Sequence, residues 1–145
     1  VTDAFRITGQ EFAMPIQLDH VIVPSRDRKA AARLLASLLD VPWSEDTPAG
    51  PFSPVYVNDG LTLDVGQIGE FSMQHYCFRV SEAEFDAILG RLQAKGIAYR
   101  STPMGEVDMQ VRSQPGGGRN VYWSEPDGHA WEILTVSYAR MPTKG

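Results

Sequence analysis

The chain runs twice through one order of elements, and this repetition restricts its fold more than any other feature. Leu18 to Val23 reads as a strand, with Val21 and Val23 on one face and Leu18, His20 and Ile22 on the other. Ser25 or Asp27 caps a helix through about Leu39, with Ala31, Leu34, Leu35, Leu38 and Leu39 as its apolar stripe, and Val41-Pro42 ends it. After the Pro- and Gly-rich connection Asp46 to Pro54 comes a hairpin: Val55 to Val57, the turn Asn58-Asp59-Gly60, then Leu61 to Gly66. Its second arm sets Leu61, Leu63 and Val65 against Thr62 and Asp64. Gly66 to Ser72 is a polar linker, and then the pattern restarts.

In the second pass His75 to Val80 is a strand, with Tyr76, Phe78 and Val80 on one face and His75, Cys77 and Arg79 on the other. Ser81 opens a capping box with Glu84, and the helix Glu82 to about Lys95 carries Phe85, Ile88, Leu89 and Leu92 before Gly96 stops it. Ile97 to Arg100 and Met109 to Arg112 read as short strands within a polar, lid-like stretch. The chain then forms a hairpin from Arg119 to Thr135 about the turn Glu125-Pro126-Asp127-Gly128. Its second arm alternates Trp131, Ile133 and Thr135 with Ala130, Glu132 and Leu134, which leaves a carboxylate among apolar neighbours and in need of a partner.

A strand, a helix and three strands therefore occur twice, in modules 16–66 and 73–138, between an N-terminal arm at 1–15 and a tail at 139–145. Neither half is expected to bury its apolar face alone. The implied class is α+β, paired βαβββ modules with helices on one side of a curved mixed sheet and a concave side left open. At 145 residues and 43% hydrophobic the chain can bury a real core. A net charge of −5 with no Lys/Arg cluster argues against a nucleic-acid surface. No long apolar run or signal peptide is visible, which predicts a cytoplasmic protein with no membrane partner. Its one cysteine excludes an internal disulfide.

In four strands the polar residue lies opposite the apolar face, so His20, Asp64, His75 and Glu132 are expected to face the concave side. Two imidazoles and two carboxylates suit a divalent ion such as Zn, Ni, Mn, Fe or Co. With Asp64 and Glu132 both bound, the charge of a 2+ ion is balanced; with His20, His75 and Glu132 alone, one positive charge remains to stabilise an anion. The alternative for each residue is a hydrogen-bonded or solvated side chain, and Asp64 is the weakest member. Cys77 shares the His75 face and lines the pocket or is a buried inert thiol. Arg79 binds a substrate carboxylate or makes a surface ion pair. Trp43, Phe52, Tyr56, Tyr122 and Trp123 offer stacking surface or simply fill the core. His129, beside a turn, reads as exposed. Gln114 to Arg119 lacks the lysine and the helix of a phosphate loop and reads as a lid or plain loop.

From about Gln17 to Thr135 the sequence resembles the vicinal oxygen chelate superfamily, the glyoxalase, bleomycin-resistance and extradiol-dioxygenase group. The motifs are Leu18-Asp19-His20, Leu63-Asp64-Val65, Gln74-His75-Tyr76, and Glu125-Pro126-Asp127-Gly128 followed by Trp131-Glu132-Ile133. The resemblance implies one divalent metal per chain on His20, His75 and Glu132, a glyoxalase-like fold, a small-molecule substrate and a homodimer. Asp64 stands where glyoxalase-like members carry a longer Glu. The activity implied is a glyoxalase-like lyase or isomerase working through a metal-stabilised enolate, with Glu132 or Asp64 as the base. The alternatives are an Fe(II) extradiol-type dioxygenase and a non-catalytic drug- or metabolite-binding resistance protein.

Overall fold

The structure, a computed structural model, describes residues 16–139. The expected N-terminal arm and nearly all of the expected tail lie outside the described residues. Those described form two compact units that divide between Gln67 and Ile68.

The first unit opens with β1 (His20–Ser25) and α1 (Arg28–Leu39), followed by β2 (Phe52–Asn58) and β3 (Leu61–Gln67). Its sheet order is β1-β3-β2, parallel between β1 and β3 and antiparallel between β2 and β3. Asp27 caps α1 by accepting from the Ala30 N–H at 3.2 Å. At the other end Asp40, at φ 56°, takes the left-handed conformation that turns the Val41 N–H back to the Ala36 carbonyl at 3.1 Å. The buried stripe of α1 is Ala32, Leu35, Ala36 and Leu38, turned from the expected one toward the two alanines. It packs on the sheet face that carries Val23, Val55, Leu63 and Val65, all at or below 3% exposure. Full burial of such side chains contributes about 1.5 to 3 kcal/mol each.

The first unit shows two strands after its helix rather than three. The expected third survives as an isolated bridge, Trp43 to Val55, held by Ser44 N–H to Pro54 O at 3.0 Å and Tyr56 N–H to Pro42 O at 2.9 Å. Pro42, Pro48 and Pro51 in this connection have no N–H to donate, so the ladder cannot extend. Arg28 fastens the connection instead, bonding Asp46 at 2.6 Å and the Ser53 hydroxyl at 2.7 Å.

The second unit holds β4 (His75–Arg79), α2 (Glu82–Ala94), β5 (Tyr99–Arg100), β6 (Arg112–Ser113), β7 (Arg119–Ser124) and β8 (Ala130–Leu134). The sheet order is β4-β8-β7-β5, with β6 also pairing β7. Ser81 caps α2, its hydroxyl oxygen accepting the Glu84 N–H at 3.1 Å, and Gly96 follows the helix at φ 66°. Phe85, Ile88 and Leu92 are buried. Arg119 of β7 ties the helix to the sheet, bonding Glu82 at 2.6 Å and Asp86 at 2.9 Å, its guanidinium 4.2 Å from the Phe85 ring centre.

The strand expected at Met109 to Arg112 is confined to Arg112–Ser113. Asp108 accepts from the N–H groups of Ser101 and Gln110 and from the Ser101 hydroxyl, and Met109 sits at φ 53°, so the chain turns where a strand would have to run straight. Gln114 to Gly118 is a tight hairpin turn, closed by Gln114 N–H to Gly118 O at 2.7 Å with Gly117 at φ 93°. No helix among the described residues is long and apolar enough to cross a membrane.

Candidate metal centre

Register decides which side chains meet on the second sheet. β4 and β8 run parallel with His75 opposite Ala130, Cys77 opposite Glu132 and Arg79 opposite Leu134. β7 lies antiparallel on the other side of β8, pairing Asn120 with Leu134 and Tyr122 with Glu132. One face therefore carries His75, Cys77, Arg79, Glu132, Asn120 and Tyr122. The other face carries Trp131, whose ring stacks on Tyr76 at 4.6 Å and on Phe78 at 5.9 Å. This aromatic layer fixes the pleat, and the pleat aims Glu132 the opposite way.

Glu132 is fully buried, and every bond it accepts comes from a neutral or conditional donor. Tyr138 places its hydroxyl 2.8 Å from both carboxylate oxygens, and Asn120 Nδ2 lies 3.3 Å from Oε2. Asn120, itself at 0% exposure, also donates to the Tyr122 hydroxyl at 3.1 Å and accepts from Gln114 Nε2 at 2.9 Å. Burial pushes both the Tyr122 and the Tyr138 phenols above the ordinary tyrosine range, so both keep their protons as donors at neutral pH. The Tyr122 ring stands 6.2 Å from that of His75.

Glu132 also meets His75. Its Nδ1 lies 2.9 Å from the Ala130 carbonyl oxygen, an atom that only accepts, so Nδ1 carries the ring proton. Nε2 then faces Glu132 Oε1 at 3.1 Å. In a neutral imidazole that geometry sets lone pair against lone pair and is favourable only with a proton or a cation between the atoms. An imidazole nitrogen and a carboxylate oxygen side by side, with the other ring nitrogen committed to a carbonyl, fit a first-row divalent ion.

In the first unit His20 and Thr62 are opposite each other, as are Ile22 and Asp64, so His20 and Asp64 lie on the same face of β1 and β3. His20 Nδ1 meets Asp19 Oδ2 at 2.8 Å. That bond, with the charges of Asp19 and Asp64 adding, raises the His20 pKa above the usual imidazole value against a smaller opposing desolvation. As in His75, Nδ1 is engaged by an oxygen close by. Trp43 sits at the β2 edge beneath the Arg33 guanidinium, 5.4 Å from its ring centre.

Of the expected site residues, the second unit brings His75, Cys77, Arg79, Tyr122 and Glu132 together, while His20, Asp64 and Trp43 belong to the first. Among the described residues of either unit alone, no three His, Cys, Asp or Glu side chains form a cluster able to hold a metal. Cys77 is exposed rather than buried, because β4 is an edge strand whose outer face opens on a cavity. Its thiol is nevertheless pushed up to about 12, first by desolvation and then by the Glu132 charge and hydrogen bond, so it is unreactive at neutral pH. The cavity, about 400 Å³, is lined by His75, Cys77, Arg79, Leu134, Ser137, Tyr138 and Ala139.

His129 is fully buried, against the expectation of exposure. Its Nδ1 accepts the Gln74 N–H at 3.0 Å, and its ring stacks on Phe71 and meets the Tyr76 and Trp131 rings edge-on. It clamps the start of β4 beside β8 and lies away from the cavity lining. Sequence reasoning missed Asn120 and Tyr138. Asn120 was within reach, being two residues before Tyr122 in an alternating strand. Tyr138 follows the last strand in a segment without periodicity and gave no signal.

Two mixed sheets, each paired in sequence with one helix and each carrying a histidine and a carboxylate on one face, define a glyoxalase-type α+β architecture. No protein-family model and no curated sequence matches the chain. Solved structures do. Oxidase ChaP-H2 is 40% identical over 87% of this chain and 98% of its own, with a TM-score of 0.79. Oxidase ChaP-H1 is also 40% identical, over 86% of this chain and 99% of its own, at a TM-score of 0.76. A lactoylglutathione lyase from Agrobacterium tumefaciens shares the fold at 17% identity, covering 84% of this chain and 95% of its own with a TM-score of 0.64. The chain belongs to the vicinal oxygen chelate superfamily.

Proposed function

We propose that this protein is a divalent-metal-dependent enzyme acting on a small oxygenated metabolite, with His75 and Glu132 among its metal ligands. The observation that carries this reading is the His75–Glu132 pair, an Nε2 lone pair 3.1 Å from a fully buried carboxylate. When bound, a divalent ion supplies Lewis acidity to the substrate oxygens. The residues of the chain do the rest. Asn120 and Tyr138 hold the Glu132 carboxylate in one orientation with uncharged donors, which keeps its negative charge available. The Ala130 carbonyl fixes the His75 ring. Glu132 takes the proton from the carbon next to the substrate carbonyl.

On this reading the reaction is a lyase or isomerase step through an enolate. A second reading, oxidation, has its own support, because the two neighbours at 40% identity are named as oxidases. One experiment separates them: turnover of hemithioacetals, α-hydroxyketones and catechols by zinc-, nickel- and iron-loaded protein in an oxygen electrode. Turnover without oxygen uptake supports the lyase or isomerase, and uptake in step with catechol loss supports oxidation. Stoichiometric binding of an unaltered compound by metal-free protein, with no turnover under any condition, would overturn both in favour of a binding protein. A homodimer is part of the proposal and is tested by light scattering, which should give twice the 16.0 kDa chain mass.

A further inference from the structure

We infer that Arg79 forms an anion subsite beside the metal ligands, so that the substrate carries a negatively charged group on the side away from its paired oxygens. This rests on the metal reading given above and adds a substrate class to it. Three observations carry it.

First, Arg79 is in line with the site. His75, Cys77 and Arg79 occupy successive positions on one face of β4, opposite Ala130, Glu132 and Leu134. Arg79 is therefore one row of the sheet beyond Glu132, a step of roughly 6 to 7 Å from the two-residue strand rise. Second, its charge is unspent. A buried carboxylate one row away is the obvious partner, yet Glu132 bonds His75, Asn120, Tyr138 and the Cys77 thiol instead. Among the described residues no acidic side chain pairs with Arg79, whereas Arg28, Arg33 and Arg119 each have an acidic partner. Third, Arg79 lines the same cavity of about 400 Å³ as His75 and Tyr138, where Leu134 and Ala139 supply apolar wall. That volume is in the range of small-molecule sites, and apolar walls strengthen a guanidinium–anion pair relative to one in open water.

A ligand that places two adjacent oxygens at the metal and lies along β4 thus brings its far end to Arg79. A carboxylate or sulfonate there completes the match, and a neutral group of the same shape leaves the guanidinium without a partner in the complex. Arg79 is a specificity residue in this scheme and touches neither the metal nor the reacting oxygens.

The test uses the full chain loaded with redox-inert zinc, and two catechol probes of nearly equal shape and electronics: 3,4-dihydroxybenzenesulfonate and its neutral sulfonamide. Titration calorimetry at low ionic strength should show the sulfonate binding about tenfold tighter to the wild type. In Arg79→Met that preference should fall to within about twofold while zinc affinity stays unchanged, and Arg79→Lys should retain part of it. Equal binding of both probes by the zinc-loaded wild type overturns the subsite and leaves the metal reading standing. Persistence of the preference in Arg79→Met also overturns it. Failure of the wild type to bind zinc overturns the metal reading and this inference with it. The wild-type comparison needs no variant to fold.

Discussion

Replacing Asn120 by leucine is the sharpest probe of how the Glu132 carboxylate is held. The two side chains have similar volume, so the change removes polar bonds without opening a cavity. Three are lost: Nδ2 to Glu132 Oε2 at 3.3 Å, Nδ2 to the Tyr122 hydroxyl at 3.1 Å, and Oδ1 from Gln114 Nε2 at 2.9 Å. A hydrogen bond to a charged group is worth about 1.5 to 3 kcal/mol and a neutral one about 1 kcal/mol. The bond to Glu132 is long and its donor is shared, which puts it at the lower end of that range. Both Asn120 and Glu132 are at 0% exposure, so water does not replace it, whereas Gln114 is only half-buried and partly recovers. The net cost is about 3 kcal/mol. With a urea slope of about 1.5 to 2 kcal/mol/M the unfolding midpoint of ion-free protein should drop by about 1.5 to 2 M. Trp123 and Trp131 both belong to the second unit, so tryptophan fluorescence in a Trp43→Phe background reports it directly. A drop of less than about 0.3 M would refute the reasoning, because the carboxylate would then be held by something other than these donors.

Two further predictions concern titration. The Cys77 thiol, pushed up to about 12, should react with iodoacetamide in ion-free protein at about pH 8 roughly a thousandfold more slowly than free cysteine; a rate within tenfold of the free amino acid would contradict its desolvation beside Glu132. The hydrogen bond from Arg28 lowers the Asp46 pKa below its ordinary 3.8, so the stabilisation from this pair is present above the unfolded value and lost as pH falls through the folded one. Asp46→Asn should therefore weaken the first unit at neutral pH and match the wild type once the pH has fallen below the folded value, as read from the Trp43 indole N–H resonance in urea. A difference that persists in acid would contradict the assignment.

The parts of the fold that were legible in the sequence are those with local causes. Ser81 and Glu84 marked the start of α2, Gly96 its end, and alternation assigned both faces of β1, β3, β4 and β8 correctly because each has one apolar side. The hairpin at Glu125-Pro126-Asp127-Gly128 set the register that puts Tyr122 opposite Glu132. Features with long-range causes were not legible. His129 looked exposed because it adjoins a turn, and its burial rests largely on partners distant in sequence, the Gln74 N–H and the rings of Phe71 and Tyr76. Met109 had strand-like neighbours, but the bonds collected by Asp108 bend the chain there. Tyr138 reaches Glu132 from a segment without a period, so no pattern could announce it. The candidate ligands were legible because a carboxylate or an imidazole breaks an apolar strand visibly, whereas the donors that hold them look like ordinary strand and loop residues.

The claim on which the account rests is that His75 and Glu132 hold a divalent ion. Protein purified without added metal, then stripped and titrated with zinc by calorimetry alongside elemental analysis, measures this directly. The account predicts about one tightly bound ion per chain, with that ion lost in His75→Ala and in Glu132→Ala while each variant remains folded by circular dichroism. A wild type that takes up no stoichiometric ion, or a folded His75→Ala that binds zinc as tightly as the wild type, would contradict it.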